Sequence, residues 1–318
     1  MRAVWLKEFG GPEVLEIGDA PDPVPGPGQA LIDVAYANIT FVETQFRSGK
    51  PGPFKAKPPM IPGNGVGGVV AEVGEGVDPG LVGTRVVSSL KGEGGYAERV
   101  VMDAEALIEV PDGLAIDDAV ALLADGRTAK IMMRSAAPKP GERVLVEAAA
   151  GGVGHVLVQL AKAAGATVVA AAGGERKLAL ARDLGADETV DYREPGWTDE
   201  VGPVDVVFDA VGGDIGRAAF ELLGKGGRIV TFGLASGEWA GIDEAAAAER
   251  GVTIAAWSGT PEQMRALARE AIEDAAAGRL RPLIGQRFPL ERAADAHAAI
   301  ESRATFGKTL LDVNAEVK

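Results

Sequence analysis

The sequence predicts an α/β chain: a compact barrel of short strands, then a doubly wound parallel sheet of six strands. Three observations lead there. The first 120 or so residues break short apolar runs with Gly and Pro turns; beyond them strands alternate with helices; and a glycine-rich turn joins one of those strands to the next helix. A length of 318 residues allows two domains of about 150 each.

The elements follow in order. Gln29–Ala37 is an apolar strand approached by the run Pro21–Gly28, whose prolines forbid helix. Gly63–Gly74 is dense in glycine and reads as a pair of strands with bulges or close backbone approaches. Gly83–Val87 and Gly94–Val101 continue the pattern, and short strands with frequent turns suggest a barrel. Ala119–Arg134 is then helical and ends before Pro138. Strands are expected at Arg143–Glu147, Thr167–Ala172, Glu188–Val190, Val204–Asp209, Arg228–Phe232 and Val252–Trp257, and helices at Val153–Ala164 and Arg176–Leu184. Such alternation means right-handed βαβ units. Pro261–Ala277 and Leu290–Glu301 are further helices, and Thr309–Val313 a last strand; the final forty residues match neither half clearly.

Composition excludes several chemistries. Without cysteine the chain has no disulfide, thiolate nucleophile, iron–sulfur cluster or cysteine-built zinc site. Its imidazoles are His155 and His297. A net charge of −14 repels nucleic acid and anionic membranes. The early charges in Met1–Glu8 argue against a signal peptide, and no apolar run reaches the ~20 residues of a membrane span. A cytoplasmic protein is the expectation.

Ala149-Ala150-Gly151-Gly152-Val153-Gly154 follows a strand and opens a helix, the place and form of a dinucleotide fingerprint with alanine for its first glycine. Gly151 lets the backbone approach a pyrophosphate, Gly154 lets the helix pack on the sheet, and the helix N-terminus offers free N–H groups and a favourable dipole. A tight structural turn is the plainer alternative, but the strand before, the helix after and the second strand at the right distance favour a cofactor. An NAD site has an acid at the end of that second strand to hold the ribose hydroxyls. Here Gly173-Gly174 stands there, followed by Glu175-Arg176-Lys177. Absence of the acid leaves room for a 2′-phosphate, and Arg176 and Lys177 can supply cations, so NADPH is the expected cofactor. Asp209-Ala210-Val211-Gly212-Gly213 closes the fourth strand, at the ligand-binding edge of such a sheet, which makes Val211 a candidate cofactor contact.

At this point a family resemblance is plain. Gly10–Leu15, Arg47–Gly49, Gly94–Glu98, Ala148–Gly154, Asp191–Arg193 and Glu301–Thr305 resemble stretches of the medium-chain dehydrogenase/reductase superfamily, in its zinc-independent, zeta-crystallin-like branch of quinone oxidoreductases. The resemblance covers nearly the whole chain. It implies a GroES-like barrel (residues 1–120 and 280–318) and a Rossmann domain (residues 121–279), which accounts for the odd C-terminal segment. It further implies 2′-phosphate contacts at Gly173, Lys177 and Tyr192, a nicotinamide contact at Thr128 and a backbone wall at Phe232-Gly233. Where zinc relatives hold their catalytic metal, this chain aligns Thr40 and Asn64, with Gly65 in place of a glutamate; hydroxyl and amide are poor zinc ligands, so no metal is expected.

The function expected is NADPH-dependent reduction of a quinone or an α,β-unsaturated carbonyl, by positioning rather than by metal chemistry. Thr40, Asn38, Gln45 and Asn64 are candidate donors to the developing oxygen. Tyr96 either lines the substrate cleft or sits in the barrel with its hydroxyl satisfied. His155 and His297 read as packed helix residues. Thr40 and Gln45 align where relatives carry an asparagine and a tyrosine, and Lys130 where they often have a tyrosine, so the pocket differs from theirs. A tailoring enone reductase and a non-catalytic NADPH-binding protein are the alternatives. Finally, the unguarded edge strand Val252–Trp257 suggests a homodimer formed by sheet extension.

Overall fold

The computed structural model describes residues 1–256 and 258–314. In the first unit, β1 (Arg2–Leu6) and β2 (Leu15–Asp19) form an antiparallel pair. Strand β3 (Gln29–Ile39) is the organising element, because its residues are buried on both faces. It pairs antiparallel with β4 (Gly65–Val73) and β6 (Arg99–Asp103), and β4 carries β5 (Arg85–Ser89), which carries β7 (Ile108–Glu109). Between β3 and β4 runs a short helix, α1 (Phe41–Arg47). The pair of strands expected over Gly63–Gly74 is one strand. Its glycines serve close packing instead of a turn: a Cβ on Gly68 would lie 2.0 Å from the Asp33 carbonyl oxygen on β3.

Helix α2 (Ile116–Ala136) leads into the second unit. There β8 (Arg143–Glu147), α3 (Gly154–Ala163), β9 (Thr167–Ala172), α4 (Glu175–Asp183), β10 (Glu188–Asp191), α5 (Trp197–Val201), β11 (Val204–Asp209), α6 (Gly213–Glu221), β12 (Leu223–Thr231), α7 (Glu244–Glu249) and β13 (Thr253–Ile254) alternate. The strands form a six-stranded sheet in the order β10-β9-β8-β11-β12-β13, every pairing parallel. This is the doubly wound sheet read from the sequence. Its edge strand β13 is shorter than expected: only Thr253 and Ile254 pair in register with β12, and Ala255 gives it one last hydrogen bond, N–H to the Ile229 carbonyl at 2.8 Å. Trp257, expected to end this strand, lies outside the described residues.

Helix α8 (Pro261–Ala276) is followed by β14 (Ile284–Pro289), α9 (Ala293–Glu301) and β15 (Lys308–Asp312). β15 pairs antiparallel with β3 (Thr309 opposite Ile39, Leu311 opposite Ala37) and parallel with β14, completing a seven-stranded sheet. The last forty residues therefore belong to the barrel. Two compact units result: Met1–Ala124 with Ala268–Lys318, and Asp125–Leu267. Among the described residues, no helix is long and apolar enough to cross a membrane.

One buried ion pair fastens the return. Arg47, at the end of α1, is 2% exposed; its guanidinium pairs with Glu301 at the end of α9 and donates to the Gly10 carbonyl at 2.9 Å. Both residues fall in stretches that carried the family resemblance. Removing one partner strands the other charge in a partly buried place, so Arg47→Ala is expected to destabilise the protein by about 3 kcal/mol. Urea denaturation measures it, and a loss under about 1 kcal/mol would show that the pair does not hold the segment.

Candidate cofactor and substrate site

The glycine turn has the shape its sequence requires. Ala148 leaves β8 with φ 47°, a left-handed conformation that costs an alanine about 1 kcal/mol. The chain then doubles back, with the Gly151 N–H donating to the Ala148 carbonyl at 2.7 Å. A Cβ at Gly154 would lie 2.2 Å from that same carbonyl oxygen, and one at Gly152 would lie 2.2 Å from Oδ2 of Asp125. Gly154 thus permits the crossing of helix and strand. Gly152 permits the approach of Asp125, a residue that sequence reasoning passed over. Ala150 is buried and Gly151, Gly152 and Val153 are half-buried, so this backbone lies partly open ahead of α3. His155 does not face outward with it: it is fully buried, with Nδ1 3.0 Å from the Gly151 carbonyl oxygen, and it braces the turn from inside.

At the end of β9, Gly173 and Gly174 form a bare ledge, Gly174 at φ 94°. Arg193 lies over it: a Cβ on Gly173 would be 3.0 Å from the Arg193 Cδ, and one on Gly174 would be 3.2 Å from a guanidinium nitrogen. Arg193 pairs with Asp191 at 2.6 Å, and Asp191 also accepts from the Gly174 N–H at 2.9 Å. The Arg193 hydrogen bond holds the Asp191 carboxyl down to about 2, with the Gly174 amide adding to it. Tyr192 and Lys177 are half-buried beside this ledge in sequence, and Arg176 is exposed. Sequence reasoning quoted Arg193 but gave it no role; a third cation in a segment of matching residues was the available signal.

At the same C-terminal edge of the parallel strands, two strands along from β9, Asp209 accepts from the N–H groups of Val211 and Gly212 at 3.1 and 2.7 Å, which curls the chain after β11. Phe232 donates its N–H to the Asp209 carbonyl at 2.9 Å, and a Cβ on Gly233 would be 2.5 Å from the Ala210 oxygen. Val211, Phe232 and Gly233 are therefore one packed turn system. Thr128 and Lys130 are half-buried on α2.

In the barrel unit, Thr40 and Asn64 are brought together by Glu43, which was not anticipated. Glu43 is 3% exposed and accepts from the Thr40 N–H (2.7 Å), the Thr40 hydroxyl (2.8 Å) and the Asn64 N–H (3.0 Å). The spacing Thr40-Phe41-Val42-Glu43 is a capping box, legible in the sequence as the start of α1. Burial raises the Glu43 carboxyl, and the Thr40 hydrogen bonds, buried Lys308 and the Tyr96 hydroxyl oppose that rise. With its hydroxyl hydrogen given to Glu43, Thr40 presents an acceptor oxygen, not the donor expected of it.

Two other candidates lie inside the barrel unit. Tyr96 is fully buried, its hydroxyl 2.9 Å from His297 Nε2 and within reach of Glu43, which fits the reading of a barrel residue with its hydroxyl satisfied. Burial, reinforced by the Glu43 charge, pushes its phenol well up. Asn38 is fully buried too, and neither atom of its amide has a hydrogen-bond partner among the described residues; its side chain stands where a Cβ on Gly65 would be 2.8 Å away. Gln45 is half-buried on α1. Among the described residues no group of His, Cys, Asp or Glu side chains could hold a metal ion.

A barrel unit of this topology and a doubly wound sheet unit with an open glycine turn define a dinucleotide-binding class of protein. Residues 26–112 match the alcohol dehydrogenase GroES-like domain family and residues 184–311 the zinc-binding dehydrogenase family. The quinone oxidoreductase of Pseudomonas aeruginosa is 34% identical over 98% of this chain and 99% of its own, and the 2-haloacrylate reductase of a Burkholderia species 32% identical over 98% of both. The Escherichia coli quinone oxidoreductase, solved in complex with NADPH, has a TM-score of 0.89 at 29% identity, covering 98% of this chain and 100% of that one. The chain belongs to the medium-chain dehydrogenase/reductase superfamily, among the relatives of the quinone oxidoreductases.

The barrel network carries a pH dependence. Burial, with Arg47 nearby, lowers the His297 imidazole from 6.5 to about 3. The folded protein keeps it neutral where the unfolded chain protonates it. Its contribution is whole above pH 6.5 and is lost as pH falls toward 3, with a limiting slope of about 1.4 kcal/mol per pH unit. Urea denaturation between pH 7 and pH 4 is expected to show a shallower acid loss in His297→Gln than in the wild type. Parallel slopes would remove His297 as the cause.

Proposed function

We propose that this protein is an NADPH-dependent oxidoreductase that reduces a quinone or an α,β-unsaturated carbonyl by direct hydride transfer without a metal. The observation that carries the reading is the end of β9, where Gly173 and Gly174 stand in place of the ribose-binding acid, with Arg193 over them (itself paired with Asp191) and Arg176 and Lys177 following. A ribose-binding carboxylate there would repel a 2′-phosphate, and cations attract it. The names of the relatives, and the NADPH bound in the E. coli neighbour, support the same cofactor and reaction class.

NADPH supplies the hydride in this reading. The amides at the start of α3, with Ala150, Gly151, Gly152 and Val153, hold the pyrophosphate by hydrogen bonds and by the helix dipole. Gly173, Arg176, Lys177 and Tyr192 receive the 2′-phosphate. Thr128, Val211, Phe232 and Gly233 orient the nicotinamide. On the barrel unit, Asn64 and Gln45 remain as side-chain donors to the oxygen that gains charge, and Thr40 orders that segment through Glu43. Zinc does not fit: the aligned positions hold a hydroxyl already engaged by Glu43 and a carboxamide, and the chain has no cysteine. Chelators are accordingly expected to leave turnover unchanged. Stoichiometric zinc lost together with activity would overturn the metal-free step.

The reading extends to a cytoplasmic homodimer joined along β13, where Ile254 is 38% exposed at the sheet edge. Sedimentation tests this part, and a mass of 33 kDa that never rises with concentration rejects it.

Titration is expected to give NADPH at least about tenfold tighter binding than NADH, close to 1.4 kcal/mol. Lys177→Ala should erode that ratio chiefly by weakening NADPH. Equal affinities for the two nucleotides would reject the phosphate assignment. Following NADPH absorbance with 1,4-benzoquinone and with simple enones tests the reaction; tight binding with no turnover on either class would favour a nucleotide-binding role without catalysis.

A further inference from the structure

Beneath the turn that follows β11 lie two carboxyl groups that the reaction above does not use. Glu147 ends β8 and Asp209 ends β11, parallel neighbours whose register pairs Val146 with Phe208, so the two side chains leave adjacent positions on one face. Both are fully buried. Asp209 Oδ1 accepts from Val211 and Gly212, and Glu147 Oε2 accepts from the same Val211 N–H at 3.2 Å. The other oxygen of each, Glu147 Oε1 and Asp209 Oδ2, is buried with no donor among the described residues.

Two ionised carboxylates in this position would repel each other and leave both atoms unsatisfied. One proton resolves both faults. We propose that Glu147 and Asp209 share a single proton at neutral pH, carried by Glu147 and donated to Asp209, and that this pair is the positioning device for the Val211–Gly213 turn beside the bound nicotinamide. The proposal rests on the cofactor reading above. Burial and the Asp209 charge push the Glu147 carboxyl well up, in agreement.

Among the described residues the neighbouring elements place no cation against Glu147. β9 presents Ala171 beside Glu147, and β12 presents Thr231 beside Asp209. The charged residues of α6, Asp214, Arg217 and Glu221, occupy exposed positions, with Arg217 paired to Asp214 at 2.6 Å. Glu238, on the segment packed over the turn, is exposed and approached by Arg217 at 3.6 Å. The turn depends on the pair in a specific way. Gly212 and Gly213 have φ 69° and 55°, which aims the Val211 and Gly212 amides inward at the carboxyls. α6 closes on the pair as well: a Cβ on Gly216 would be 2.9 Å from both Asp209 oxygens. Ser236 in turn donates to the Val211 carbonyl at 2.8 Å, so displacement of the turn reaches the Phe232–Gly233 wall.

The test uses the full-length protein and NADPH. Infrared spectroscopy at neutral pH is expected to show the carbonyl stretch of a protonated carboxyl in the wild type, absent in Glu147→Gln. The glutamine amide still donates to Asp209, so Glu147→Gln should bind NADPH within about twofold of wild type, whereas Glu147→Ala should bind about tenfold more weakly. If Glu147→Ala does not fold, the infrared band and the Glu147→Gln affinity decide. A wild type without the protonated band at neutral pH overturns the shared proton. Glu147→Ala that binds as tightly as wild type overturns the positioning role. Failure of the wild type to bind NADPH at all would instead reject the cofactor reading, and the band would still decide the proton.

Discussion

The antiparallel pairing of β15 with β3 is the constraint on which the barrel depends. Through it a segment 201 or more positions away in sequence supplies Lys308, His297 and Glu301 to the neighbourhood of Glu43, Tyr96 and Arg47. None of these six side chains is tolerable alone in an interior. A buried carboxylate, guanidinium or ammonium must be paired and hydrogen-bonded or it neutralises. The chain meets that demand by distributing partners between its two ends, so the barrel is complete only when the C-terminal strand has docked. The neutral imidazole of His297 follows from the same arrangement: Arg47 is close enough to disfavour a second positive charge, and Tyr96 gives the ring a hydrogen-bond partner.

Both units use one device to shape loops. A buried carboxylate collects backbone N–H groups that a turn would otherwise leave unsatisfied. Glu43 collects those of Thr40 and Asn64, segments on either side of α1 and the following loop; Asp209 collects those of Val211 and Gly212. Charge-assisted bonds to ionised acceptors are roughly twice as strong as neutral ones. A single acid therefore fixes two loop amides more firmly than a neutral side chain could. The cost is a buried charge, and each site offsets it differently: Glu43 with the Lys308 ammonium, Asp209 with its carboxyl neighbour.

The parts of the structure legible in the sequence are those written in local pattern. Alternating apolar strands and helices from Arg143 to Asp209 predicted the parallel sheet, and the Gly151–Gly154 spacing predicted where its open turn lies. Composition could not show that the glycines of β4 serve close approach to β3, because a glycine run looks the same in a turn and in a crowded strand. The shortness of β13 was equally hidden: Val252–Trp257 has strong strand character, but only Thr253 and Ile254 pair in register with β12. The barrel candidates Thr40 and Asn64 were named for their alignment, and the residue that unites them was not. Glu43 carried a local signal in its capping box. Tyr96 with His297, and Glu147 with Asp209, carried none, since each pair is a side-chain contact across a long stretch of chain.

The loops after β9 and β11, two strands apart on one edge of the parallel sheet, differ in electrostatic character, and the difference bears on the proposed cofactor. The ledge at Gly173 is bordered by exposed cations, where screening at physiological salt acts over about 8 Å and attraction to a phosphate is correspondingly salt-sensitive. Arg193 is already committed in part to Asp191, which stays ionised down to about pH 2, so a phosphate there shares that guanidinium with a fixed negative charge. At the Asp209 turn the charges are buried, screening by salt is weak, and hydrogen-bond direction sets the geometry. In the proposed reading, selection of the nucleotide's phosphate and placement of its reactive ring thus rest on different physics, one adjustable by solution conditions and one built into the core.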